Sequence, residues 1–82
     1  MEPVKVYGRE TCEDTQHTLA YLDSIGVKYD YVEIDEDAEG MDFVKHRNNG
    51  KELTPTLDIH GQILAEPSDG ELEAALREKQ LV

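Results

Sequence analysis

Val4 and Val6 alternate with Lys5 and lead into Tyr7-Gly8, a pattern that predicts a short strand breaking into a loop. The loop ends at Cys12. From Glu13 onward Leu19, Leu22 and Ile25 recur at a spacing of three with polar residues between them, and Gly26 stands where the chain must leave a helix. An amphipathic helix is predicted there. Tyr29 to Ile34 alternates and is rich in aromatic and β-branched residues, so it reads as a second strand, and strand–helix–strand order favours a parallel pair with a right-handed crossover. Acidic residues from Asp35 to Glu39 suit a second helix start, with Ala38, Met41 and Val44 at helical spacing until Asn48-Asn49-Gly50. Two β-prone stretches, Thr56 to Ile59 and Gln62 to Ala65, are separated only by His60-Gly61, which is hairpin spacing. Ser68-Asp69-Gly70-Glu71 has the form of a capping box, and Leu72, Ala75 and Leu76 form the stripe of a last helix. The predicted order is βαβαββα, an α/β fold, with residues 1–82 read as one domain without repeats or linkers.

Composition narrows the partners. Nineteen Asp and Glu against eight Lys and Arg give a net charge of −11, which repels nucleic-acid phosphates and anionic lipid headgroups. Neither nucleic acid nor membrane is expected as a partner. Apolar runs are only a few residues long and the N-terminal stretch lacks the pattern of a secretory signal, so neither a membrane span nor a leader is expected. With 82 residues, 38% hydrophobic, four Tyr, one Phe and no Trp, the chain supports one modest core. A single cysteine cannot staple it, and the cytoplasm is the expected compartment.

That cysteine carries the chemistry. Cys12 stands between a strand-to-loop break and a helix, where free backbone N–H groups and the helix dipole favour thiolate, the form that attacks a disulfide. Spacing alone leaves open the alternative of a small buried hydrophobe. Thr54-Pro55-Thr56 begins the third strand, where a proline withholds no ladder donor. A cis bond there would turn the Thr54 backbone outward to pair with an extended ligand; an ordinary trans proline would simply start the strand. Metal chemistry is not expected. Cys12, His17, His46 and His60 lack zinc-type spacing, and the acidic run from Asp35 has His46 where a calcium loop needs its twelfth-position Glu.

Taken together, Tyr7-Gly8-Arg9-Glu10-Thr11-Cys12, Val32-Glu33-Ile34-Asp35, Asn49-Gly50-Lys51-Glu52-Leu53-Thr54-Pro55-Thr56, Ile59-His60-Gly61 and Pro67-Ser68-Asp69 resemble glutaredoxins of the thioredoxin-fold superfamily. The resemblance spans almost the whole chain in order. It implies a four-stranded mixed sheet flanked by three helices, a cis Thr54-Pro55 bond beside Cys12, and thiol–disulfide exchange. It further implies a thiol-peptide platform: Arg9 for a carboxylate of glutathione, the Thr54 backbone with Pro55 for the cysteinyl portion, and Ser68 with Asp69 for the γ-glutamyl end. Ser68 also reads simply as a helix cap, and Arg9 as a solvated charge.

Departures from the family pattern shape the expected mechanism. The active loop is Cys12-Glu13-Asp14-Thr15, in place of the usual Cys-Pro-Tyr-Cys or Cys-Gly-Phe-Ser, so no resolving cysteine exists and a monothiol route is implied. Thr15 is placed to donate a hydroxyl hydrogen bond toward the sulfur. Glu13 and Asp14 oppose thiolate formation while suiting the helix dipole, and Glu66-Pro67 replaces a Gly-Gly pair. The expected co-substrate is glutathione or another low-molecular-weight thiol. Asn48-Asn49-Gly50 and Thr54-Pro55-Thr56 look like elements of actinobacterial glutaredoxin-like proteins that use mycothiol. The expected partners are that thiol and a disulfide-containing protein, with the chain a monomer and no bound cofactor. Two rival functions follow from the same residues: a non-catalytic thioredoxin-fold module that binds a basic protein, and a [2Fe–2S] cluster carrier using Cys12.

Overall fold

The computed structural model describes residues 2–82. Strand β1 (Val4–Gly8) leads into helix α1 (Glu13–Ser24), then strand β2 (Tyr29–Glu33), helix α2 (Ala38–Arg47), the hairpin of β3 (Thr56–Ile59) and β4 (Gln62–Ala65), and helix α3 (Asp69–Glu78). The sheet order is β2-β1-β3-β4, with β1 and β2 parallel and the other two pairs antiparallel. This is the four-stranded mixed sheet with three helices of a thioredoxin-like fold. His60 and Gly61 both take positive φ, at 50° and 99°, which gives the hairpin a twist that matches its strands.

Alternation along the strands sends side chains to two faces. On one, Val4, Val6, Leu57 and Ile59 pack with Leu22 of α1 and with Leu72, Ala75 and Leu76 of α3. On the other, Tyr7, Ile34 and Val44 form a smaller cluster, where Tyr7 stacks on Phe43 with ring centroids 4.6 Å apart. The stripe predicted for α3 is the stripe that is buried.

The stripes of α1 and α2 differ from expectation. Helix α1 buries Thr15, Thr18 and Leu22, while Leu19 is half-buried and Ile25 lies beyond the last turn, exposed. Two threonines therefore occupy positions that hydropathy assigns to solvent. For Thr15 the reason is local packing: a Cβ built on Gly8 would lie 2.5 Å from Thr15 Cγ2 and 2.7 Å from its Oγ1, so strand and helix meet there with no room for a larger pair. Helix α2 buries Gly40 and Val44 and leaves Ala38 exposed. At Gly40 an added Cβ would come within 2.7 Å of Val32 Cγ1, and the missing side chain is what lets α2 approach β2.

Register gathers the candidate site at one end of the sheet. Gly8 lies beside Glu33 in the parallel pair, Tyr7 opposite Thr56 in the antiparallel pair, and Thr56 opposite Ala65 in the hairpin. The loop to Cys12, the Thr54-Pro55 segment and the start of α3 are thus brought together from distant parts of the chain.

Candidate active site

Cys12 is the N-cap residue of α1, with extended backbone (φ −90°, ψ 119°), and its carbonyl accepts the first helical bond from Gln16 N–H at 3.1 Å. The loop before it is held at several points. Cys12 N–H donates to Arg9 O at 3.0 Å, Gln16 Nε2 to Glu10 O at 3.1 Å, and Glu10 N–H to Glu33 Oε1 at 2.7 Å. Arg9 N–H donates to Thr15 Oγ1 at 3.5 Å. The sulfur's position is thereby set by backbone contacts rather than by its own side-chain packing.

The Thr54-Pro55 bond is cis, as the resemblance implies, and in the thiol form Sγ donates to Thr54 O at 3.6 Å. The residue is half-buried and its thiol is free. Burial alone pushes the thiol up, but hydrogen bonding with the Thr54 and Thr15 side chains and with the Thr15 and Asp14 N–H groups outweighs it, and Cys12 ionises below the ordinary cysteine value. The thiol makes no full capping bond to those N–H groups. They nonetheless sit where a negative sulfur would draw them. Thr15 Oγ1 uses a lone pair on Arg9 N–H, which leaves its own hydrogen free for the sulfur.

The remaining expected site residues lie at the same end of the sheet, but several are already engaged. Arg9 Nε donates to both Asp35 carboxylate oxygens at 3.0 Å, and its Nη2 bonds Glu52, so any ligand carboxylate would compete with two internal ones. Ser68 closes the capping box: its Oγ accepts from Glu71 N–H at 3.1 Å and its own N–H donates to Glu71 Oε1 at 2.9 Å. Asp69 faces His17 Nε2 at 3.0 Å. The N–H groups of Asp69 and Gly70, at the first turn of α3, have no helical acceptor and remain donors toward the site.

Two further residues shape the site, though the sequence assigned neither a role in it. Glu33 ends β2 and gathers three donors, Glu10 N–H, Tyr31 Oη at 2.9 Å and Asp35 N–H at 3.4 Å, which ties the active loop to the sheet. Burial, and after it the bond to Glu33, holds the Tyr31 phenol well above its ordinary value. Glu66 has φ +49° and donates its N–H to Pro55 O at 2.8 Å. Among the described residues no group of His, Cys, Asp and Glu is arranged to hold a metal ion.

A half-buried cysteine at the N-cap position of the first helix, beside a cis-proline strand start on this sheet topology, defines a thioredoxin-fold thiol protein. Residues 4–64 match the sequence model of the glutaredoxin family, and the chain belongs to that family. Among curated relatives it is 33% identical to mycoredoxin 1 of Corynebacterium glutamicum over 57 residues, 70% of each chain. It is thus a glutaredoxin- and mycoredoxin-like redox protein. Two solved structures share the fold at 22% identity. The thioredoxin-like protein BC3987 superposes with a TM-score of 0.80, covering 89% of this chain and 99% of that one. The Archaeoglobus fulgidus glutaredoxin gives 0.76, covering 94% and 88%. Ser68 and Asp69 lie beyond the span that the family match covers.

Proposed function

We propose that this protein is a monothiol thiol–disulfide oxidoreductase acting on mixed disulfides of a low-molecular-weight thiol. The observation that carries it is the Cys12 sulfur: half-exposed, at the N-cap of α1, shifted toward thiolate, and 3.6 Å from the Thr54 carbonyl. The Cys12 thiolate attacks the low-molecular-weight thiol's sulfur in the mixed disulfide. A Cys12–thiol disulfide forms, the original S–S bond breaks, and the protein substrate leaves as a thiolate that takes a proton from water. A second thiol molecule, as thiolate, then attacks the bound thiol's sulfur. It departs as the symmetric disulfide and returns Cys12 to thiolate, so two electrons pass from thiol to substrate.

Thr15 stabilises the negative sulfur in both steps, and no second cysteine competes with the incoming thiol. Thr54 and Pro55 supply the backbone edge for the thiol's cysteinyl portion, and the free N–H groups at the start of α3, with Asp69, meet its far end. Arg9 meets a ligand through Nη1, the guanidinium nitrogen that Asp35 and Glu52 leave unused, with its charge already shared between those two carboxylates. Glutathione and mycothiol are the two co-thiols to compare. The cycle consumes reduced thiol, which assigns the protein to a reducing compartment such as the cytoplasm.

The test is mass spectrometry of the intact chain. Incubation with a mixed disulfide should give one adduct, absent from Cys12→Ser, which added thiol removes. A chain that forms no adduct, or one that thiol does not release, would rule the cycle out.

A further inference from the structure

A groove of about 410 Å³ runs from Asp14 and Thr18 on α1, past Pro55, to Glu66, Ser68 and Asp69 at the start of α3. Cys12 is not in its wall, but Asp14 follows it by two residues and Pro55 follows the Thr54 that touches its sulfur. The groove thus shares the two segments that flank the sulfur, the first turn of α1 and the Thr54-Pro55 bond.

Its charge is one-sided. Four acidic residues line it, Asp14, Glu66, Asp69 and Glu71, and no Lys or Arg does. The one basic side chain in the wall, His17, is paired with Asp69. Hydrogen bonds from the Ser68 backbone and side chain hold the Glu71 carboxyl below its usual range, so it stays charged. Asp14 and Glu66 have no ion-pair partner among the described residues. Nor does the active loop offset this, because Arg9, its one cation, is shared between two carboxylates. Glu66 is also fixed in place: its N–H is tied to Pro55 O and Pro67 follows it. A concave wall of uncompensated charge focuses the local field and sorts charged reactants as they approach.

We propose that this groove sets a charge preference among the disulfides that Cys12 exchanges. The preferred disulfide is bordered by ammonium or guanidinium groups, and disulfides bordered by carboxylates exchange poorly. This rests on the thiol-exchange reading and adds the charge that the substrate must carry. Two sources present that chemistry, a small aminothiol disulfide and a basic polypeptide segment around a cysteine.

The experiment measures rate constants for Cys12 adduct formation on the whole protein at one pH and low ionic strength. The probes are cystamine, bis(2-hydroxyethyl) disulfide and 3,3′-dithiodipropionate, each normalised to its rate with 2-mercaptoethanol to remove leaving-group differences. Two peptide mixed disulfides, one with lysines and one with glutamates flanking the cysteine, form a second arm. The normalised ratio of cystamine to dithiodipropionate should exceed about tenfold, fall toward one in high salt, and shrink in the Asp14→Asn/Glu66→Gln double variant. Both probes meet the same thiolate, so a change in Cys12 acidity cancels in the ratio. A matching preference for the lysine-flanked peptide assigns the groove to polypeptides, and its absence assigns it to small cationic disulfides. A ratio near one, or one that neither salt nor the double variant alters, overturns the proposal while leaving exchange intact. Failure of every probe to form an adduct removes the exchange reading and this proposal with it.

Discussion

Gly8→Ala tests the contact that seats Thr15 under the active sulfur. Gly8 has no positive φ, so alanine suits its backbone, and only the new methyl matters. That methyl would stand 2.5 Å from Thr15 Cγ2, 2.7 Å from Oγ1 and 3.2 Å from Cβ, well inside van der Waals contact, and Thr15 is fully buried. Overpacking of this kind costs about 1–3 kcal/mol, while removing a glycine from the unfolded chain returns about 0.4–1 kcal/mol. The net loss is about 1.5 kcal/mol, or roughly 6–12 °C in Tm for a chain of this size. In a Thr15→Ala background the two nearest atoms are gone, so the same substitution should become neutral or stabilising by about 0.5 kcal/mol. Urea unfolding of wild type, both single variants and the double variant measures this change of sign, provided the m-values agree. If Gly8→Ala stabilises the wild type, or destabilises both backgrounds equally, Thr15 is not what the glycine accommodates.

Three further outcomes follow from the site. Thr15→Val keeps the shape but removes the hydroxyl, a charge-assisted bond of about 1.5 kcal/mol, so iodoacetamide alkylation of Cys12 at pH 7 should slow by up to about tenfold and its pH profile should move upward; an unchanged profile refutes the role of Thr15. The folded Cys12 ionises below the unfolded thiol, so between those two values the unfolded chain holds the extra proton and stability rises with pH. The unfolding free energy of wild type relative to Cys12→Ser should therefore increase from neutral pH into the thiol range, level off above it, and be lost as pH falls through the folded value; a flat difference would show an unshifted thiol. Glu33→Ala frees the Glu10 N–H and the Tyr31 hydroxyl together, at about 1–2 kcal/mol. It should also bring one phenol back toward its ordinary range in an ultraviolet titration, a change that loss of packing elsewhere would not produce.

The elements were legible because each boundary has a chemical mark: Gly26 after α1, Asp37 and Asn48 around α2, His60-Gly61 at the hairpin, and the Ser68–Glu71 box before α3. The places of Cys12 at a helix start and of Pro55 at a strand start were legible in the same way, while the cis bond followed only from the resemblance. What the sequence could not reveal depends on pairs that only tertiary register creates. Thr15 and Thr18 look like solvent-facing positions, yet both are buried, and Thr15 meets Gly8 of β1 and turns its hydroxyl to the loop and the sulfur. Glu33 is one of nineteen acidic residues, and nothing near it distinguishes it from Glu36 or Glu39. Its role appears when the parallel register sets it beside Gly8 and the donors of the loop converge on it. Arg9 illustrates the reverse case. As a lone cation in a glutaredoxin-like loop it suggests an anion site, yet the fold brings Asp35 from 26 residues away and Glu52 from 43 to claim it. At the groove the same balance holds: no Lys or Arg lines it to meet a ligand's negative charge, while an incoming positive charge finds acidic residues there.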